Sequence, residues 1–149
     1  MRTVADILRD KAARIITVRL RETAATAAMM MKRENVSALV VKDVCRSEGN
    51  IMVLGVFSER DLARALATHG AAALGMTVSA LLTQPLVSCR QEDTIETVMR
   101  LMTVNQVRLL PVLDEHTLVG VVSISDVVGE FLPDMRPQTR PAARPHASV

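Results

Sequence analysis

The chain reads as a mixed α/β (α+β) protein made of two copies of one β-α-β-β-α unit. Three observations predict this. The string Gly55-Val56-Phe57-Ser58-Glu59-Arg60-Asp61 recurs as Gly120-Val121-Val122-Ser123-Ile124-Ser125-Asp126. With Thr23 laid on Thr94, Ala24, Ala27, Ala28 and Met31 fall on Ile95, Val98, Met99 and Met102. All are apolar, at the i, i+3, i+4, i+7 spacing of one buried helix face. Under the same shift the apolar run 36–41 falls on 107–112. Face, strand and motif recur in the same order, which is the mark of a duplicated structural unit.

The elements follow from local pattern. Val4-Ala5-Asp6-Ile7-Leu8 predicts a short helix capped by Thr3, and Ile15-Ile16-Thr17-Val18 a short strand. A helix over about 23–34, a hairpin of 36–42 and 51–57, and a helix over about 59–68 complete the first copy. Its hairpin connection is longer than the second copy's, which costs little because loop-closure entropy grows slowly with length. Gly70 suits the positive-φ position that ends a helix. The second copy repeats the plan with a helix near 78–82, a strand at Leu86-Val87-Ser88-Cys89, a helix from Thr94, a hairpin, and a last helix over 125–131. The expected organisation is repeat one over 1–70, a linker at 71–75, repeat two over 76–133 and a tail over 134–149. In each unit two helices cover one sheet face, so the other face needs the second copy. In the tail, Pro133, Pro137, Pro141 and Pro145 recur with Arg136, Arg140 and Arg144 before three of them. Proline at this density excludes helix and central strand, and the segment reads as a flexible basic tail.

Composition narrows the function. At 149 residues with 49% apolar content, the chain can bury roughly 70% of its unfolded surface. A net charge of +2 supplies no strong field for nucleic acid or anionic lipid. Phe57 and Phe131 are the only aromatics, too few to stack single-stranded bases. No apolar run approaches the length of a membrane span, and the first residues lack a signal-peptide core. A cytoplasmic protein with neither membrane nor nucleic-acid partner is expected. Cys45 and Cys89 match no metal or disulfide spacing and read as reduced thiols. His69, His116 and His146 are scattered, so no metal is assigned. The Met29-Met30-Met31 run fits core or interface packing. No nucleophile–base pair or phosphate-loop glycine string points to catalysis, and a non-enzyme is expected.

The repeated motif admits two readings. Ser58-x-x-Asp61 and Ser123-x-x-Asp126 fit a capping box, in which both side chains satisfy open N–H groups of a helix's first turn. They also fit a nucleotide seat. A carboxylate has only acceptors, which suits the two hydroxyls of a ribose, and a helix N-terminus suits phosphate.

The segments 35–41, 55–62, 107–112 and 120–128, which contain these motifs, together resemble the tandem CBS domain family, the Bateman module, over about residues 3–132. The similarity is greatest to small stand-alone bacterial CBS-pair proteins. It implies two repeats packed sheet to sheet with pseudo-twofold symmetry. It further implies clefts between them for adenosine nucleotides such as AMP, ADP, ATP or NAD, and assembly into a homodimer. Carried over by position, Asp61 and Asp126 match the ribose-binding aspartates, and Ser58 and Ser123 the hydroxyl at the same corner. Thr17 and Ser88 sit where the first strand contacts the base, and Ser37 and Arg108 where ribose or phosphate is reached. Arg60 could pair with a phosphate. The second copy has Ser125 in its place, so unequal sites are expected, with phosphates held better beside Arg60. The implied function is a nucleotide sensor acting on a protein partner. The alternative is a structural dimerisation or docking module without a ligand.

Overall fold

The computed structural model describes residues 2–11, 14–44 and 51–132. The expected tail, Cys45 and His146 lie outside them. In chain order the elements are α1 (Val4–Asp10), β1 (Thr17–Arg19), α2 (Ala24–Glu34), β2 (Ala38–Val44), β3 (Ile51–Ser58) and α3 (Glu59–His69). A 3-10 turn (Gly70–Gly75), α4 (Val78–Leu81), α5 (Ile95–Asn105), β4 (Leu109–Asp114), β5 (Thr117–Ser123) and α6 (Ile124–Phe131) follow.

The long helices start and stop alike in both copies. Thr23 Oγ1 accepts from the Thr26 N–H and Thr94 Oγ1 from the Thr97 N–H, each at 3.2 Å. Both helices end on a left-handed residue, Asn35 and Gln106, each at φ 54°. Ala24, Ala27 and Met31 are buried, as are Ile95, Val98 and Met102. The fourth expected core position differs. Met99 stays 39% exposed, because the burial follows only the i, i+3, i+7 line of the helix. The stretch expected as a plain linker coils into the 3-10 turn, whose Ala73 is buried with the first core. Gly70 ends α3 at φ 61°, ψ −149°, a region essentially only glycine reaches.

In the first sheet the order is β1-β2-β3, with β1 parallel to β2 and β3 antiparallel. The second sheet holds only β4 and β5. The strand expected at 86–89 contracts to a single parallel bridge, Cys89 to Val112. Pro111 is the reason. In the first copy the Val40 N–H donates to the Ile16 carbonyl at 3.0 Å. Pro111 replaces Val40 and has no N–H to offer the Val87 carbonyl. Two bonds beyond it survive, from Cys89 N–H to the Pro111 carbonyl and from Leu113 N–H to the Cys89 carbonyl.

Three apolar clusters follow. One gathers Leu39, Val41 and Phe57 under α2 and α3, and a second gathers Leu110, Val112 and Val122 under α5 and α6. The third joins Val40 and Val53 to Val121, which packs the two sheets face to face. The short helices are exchanged between these cores. Val4 and Ile7 of α1 lie in the second cluster, while Val78 and Leu81 of α4 lie in the first. Matched hydrogen bonds fix the exchange. Val4 and Ala5 N–H groups donate to the Asp93 and Gln91 carbonyls, and Val78 and Ser79 N–H groups to the Glu22 and Leu20 carbonyls. Leu8 then sits over Gly120, and Leu82 over Gly55. Any Cβ at Gly120 would lie 2.7 Å from Leu8 Cδ2, which explains why the motif begins with glycine. Arg2 Nε donates to Glu130 Oε2 at 2.5 Å, and Arg2 also pairs with Asp10, tying α1 to α6.

Candidate functional site: a cleft between the repeats

The hairpin strand β3 runs directly into α3, so the residue at the junction must cap the helix. Ser58 does so. Its Oγ accepts from the Asp61 N–H at 3.3 Å, and its N–H donates to Asp61 Oδ2 at 2.8 Å. The Ser58 hydroxyl also donates to Asp61 Oδ2 at 2.9 Å. Ser123 and Asp126 repeat this at β5 and α6, with 3.4, 2.8 and 2.9 Å. The capping reading of both motifs therefore holds. It does not exhaust the carboxylates, because the bonds they accept from the serines all fall on Oδ2. Among the described residues, none bonds Oδ1 of Asp61 or Asp126. A capped carboxylate thus retains one oxygen for another donor.

The Asp61 corner opens into a cleft of about 320 Å³, within the range of small-molecule sites. One wall carries Ser37, Ser58, Glu59, Arg60, Asp61 and Arg64 from the first repeat. The other carries Gln84, Pro85, Val87, Gln106 and Arg108 from the second and the segment leading into it. Of the sequence-predicted residues, Ser37, Ser58, Arg60, Asp61 and Arg108 come together here. Thr17 and Ser88 do not line the cleft. Thr17 lies in β1, in register with Val40. Ser88 alternates with Val87, whose neighbourhood forms part of the wall. Ser123 and Asp126 stand at the other corner.

That second corner differs from the first. Lys11 Nζ donates to Asp126 Oδ2 at 2.6 Å, with the two side chains 26% and 10% exposed. The exchange of α1 delivers this lysine, since Lys11 directly follows the helix that packs beside β5. Asp61 has no such cation among the described residues. Neither Lys11 nor Arg64 was singled out from sequence. Arg64 had a signal, standing one helical turn after Arg60. Lys11 had none, because the pair spans most of the chain.

The free N–H groups expected at the α3 N-terminus are partly consumed. The Glu59 N–H donates to the Ser37 carbonyl at 2.9 Å and the Asp61 N–H to Ser58. Anion binding in this cleft therefore falls mainly to side chains. Cys89 belongs to the core. Burial, aided by Asp93, pushes its thiol up to about 12, so it stays a thiol at neutral pH. No group of three or more potential metal ligands converges among the described residues, and no described helix is long and apolar enough to cross a membrane.

Comparison with known proteins places this geometry. The family model described as CBS domain matches the chain twice, over residues 4–68 and 78–132. The chain belongs to the CBS domain family. The tandem CBS pair is 33% identical over 114 residues, 76% of each chain, to the CBS domain-containing protein YhcV of Bacillus subtilis. It matches the crystal structure of the CBS-domain containing protein ATU1752 from Agrobacterium tumefaciens with a TM-score of 0.76 at 36% identity, covering 85% of this chain and 90% of that one. The CBS domain pair of protein MJ0100, solved in complex with 5'-methylthioadenosine and S-adenosyl-L-methionine, shares the fold. There the TM-score is 0.70 at 21% identity, covering 89% and 98% of the two chains.

Proposed function

We propose that this CBS pair is a non-catalytic regulatory module that binds an adenosine nucleotide between its repeats and passes the change to a protein partner. One observation carries the reading. Asp61 caps α3 with Oδ2 alone, so Oδ1 is available for ribose hydroxyls in a cleft walled by both repeats. A ligand there touches both units, and it shifts their relative angle to the extent that it prefers one arrangement. Asp126 offers a second, Lys11-occupied version of the same corner. The adenosine compounds bound by MJ0100 support this class of ligand.

The active species is a homodimer in this reading. Ile124, Val128 and Phe131 form an exposed apolar line on α6, with Met99 exposed on neighbouring α5. Such a face favours a second copy.

Isothermal titration with AMP, ATP and NAD tests the reading. Asp61→Asn retains an oxygen for the Ser58 N–H but puts an amide in place of the second oxygen. Loss of about tenfold or more in affinity with unchanged unfolding is expected. No binding of any adenosine compound by the native protein would leave the alternative, a dimerisation or docking module whose Ser/Asp pairs serve only as caps. The completeness of both capping boxes favours that second reading.

A further inference from the structure

The cleft at Asp61 holds more positive charge than ribose recognition requires. Arg60 and Arg64 project from one turn of α3, about 6 Å apart along its axis at the α-helical rise, and Arg108 stands on the opposite wall. None of the three takes part in an ion pair among the described residues. Arg2, Arg9, Arg14 and Arg33 do find carboxylates, whereas Arg19, Arg21, Arg90 and Arg100 form no ion pair among the described residues. What sets Arg60, Arg64 and Arg108 apart is that they line one cleft. Glu59 and Asp61 share the cleft, yet neither closes onto a guanidinium. Asp61 is held by its cap. Like charges gathered without partners repel one another in the free protein, and an anion entering the cleft relieves that repulsion.

The duplication supplies an internal control. At the α6 positions matching Arg60 and Arg64 the chain has Ser125 and Gly129. Capping does not require the arginines, because α6 is capped equally well without them. The charge belongs to one cleft and not to the fold.

Resting on the nucleotide reading above, we infer that the Asp61 cleft selects nucleotides carrying two or more phosphates, with Arg60 and Arg64 on one wall and Arg108 on the other clamping the phosphate chain. Guanidinium forks suit this task, since each can engage a phosphate through two N–H groups. A di- or triphosphate chain presents more oxygens over a longer reach than a single phosphate, and so engages cations drawn from both repeats more fully. Nucleosides and monophosphates leave part of the clamp unpaired.

The test is isothermal titration of the full chain with adenosine, AMP, ADP, ATP and inorganic tripolyphosphate, at low and at moderate salt. Affinity is expected to rise by about tenfold from AMP to ATP, with a steeper salt dependence for ATP. Arg64→Met, on an exposed helical position, is expected to shrink the ATP-to-AMP ratio to about threefold or less. Arg108→Met, on the facing wall, is expected to shrink it as well. Equal affinities for AMP, ADP and ATP, with adenosine also bound, would overturn the polyphosphate clamp and leave the nucleotide reading standing. Tripolyphosphate binding as tightly as ATP would overturn the inferred selection of a nucleotide. Silence from every adenosine compound would overturn both readings.

Discussion

Substituting Lys11 by Met removes one ammonium and retains the aliphatic stem, so it isolates the Lys11–Asp126 pair. The contact is 2.6 Å, with Asp126 10% and Lys11 26% exposed. Such a pair lies between two regimes. A charge-assisted hydrogen bond contributes about 1.5–3 kcal/mol, and exposed ion pairs about 0.2–1 kcal/mol. The partial exposure of Lys11 places this pair at about 1–2 kcal/mol. Lys11→Met should therefore lower unfolding stability by that amount in urea titrations. A double-mutant cycle with Asp126→Asn should return most of it as coupling. The same change should act with opposite sign on binding. Asp126 Oδ2 already accepts from Ser123 twice and from Lys11, so a ribose arriving at Oδ1 competes with an internal cation for the carboxylate's charge. Freed of it, the second corner should gain about 5- to 30-fold in affinity for adenosine, visible as a second binding event per chain. A coupling below about 0.3 kcal/mol would refute the energetic argument. Unaltered stoichiometry and affinity in Lys11→Met would refute the competition.

Four further outcomes follow from named contacts. Gly120→Ala places a Cβ 2.7 Å from Leu8 Cδ2, whereas Gly55→Ala meets Leu82 at 3.1 Å. Because both obstacles are ends of flexible side chains, Gly120→Ala should cost about 1 kcal/mol, and Gly55→Ala less, in thermal unfolding. Cys89 is raised to about 12 from 9.0, so its thiol ionises first in the unfolded chain. Its contribution is intact below pH 9 and falls above it, by at most roughly 1.4 kcal/mol per pH unit up to pH 12. Cys89→Ala should flatten that alkaline loss in paired urea titrations. Pro111→Val restores an N–H at the position matching Val40, which donates to Ile16, and hydrogen exchange should find the amides at 40 and 111 protected alike. Val128→Glu, on the exposed line of α6, should turn a dimer into monomer in light scattering. A native protein that is already monomeric would refute that assembly.

The duplication was readable because periodicity is local. Ala24, Ala27 and Met31 mark a buried face without knowledge of what covers it, and Ser58 with Asp61 marks a cap from three residues of spacing. The same locality explains the misjudged elements. Met99 fits the helical pattern, but the burial stops short of it. Leu86-Val87-Ser88-Cys89 has the apolar content of a strand, yet its ladder depends on a residue more than twenty positions away, Pro111, that lacks the needed donor. Thr17 and Ser88 sat at plausible strand positions, and only the packing of the two sheets shows that Val87 stands at the cleft instead.

By itself the sequence determined two copies, their capped corners, the glycine that starts each motif, and the unequal charge of Arg60 against Ser125. Tertiary structure alone decided which short helix packs on which core. From that exchange came Leu8 against Gly120, Lys11 on Asp126, and a cleft whose cations come from both repeats. Such facts arise from contacts between distant parts of the chain, whose free energy depends on the shape of both surfaces and leaves no period in either segment.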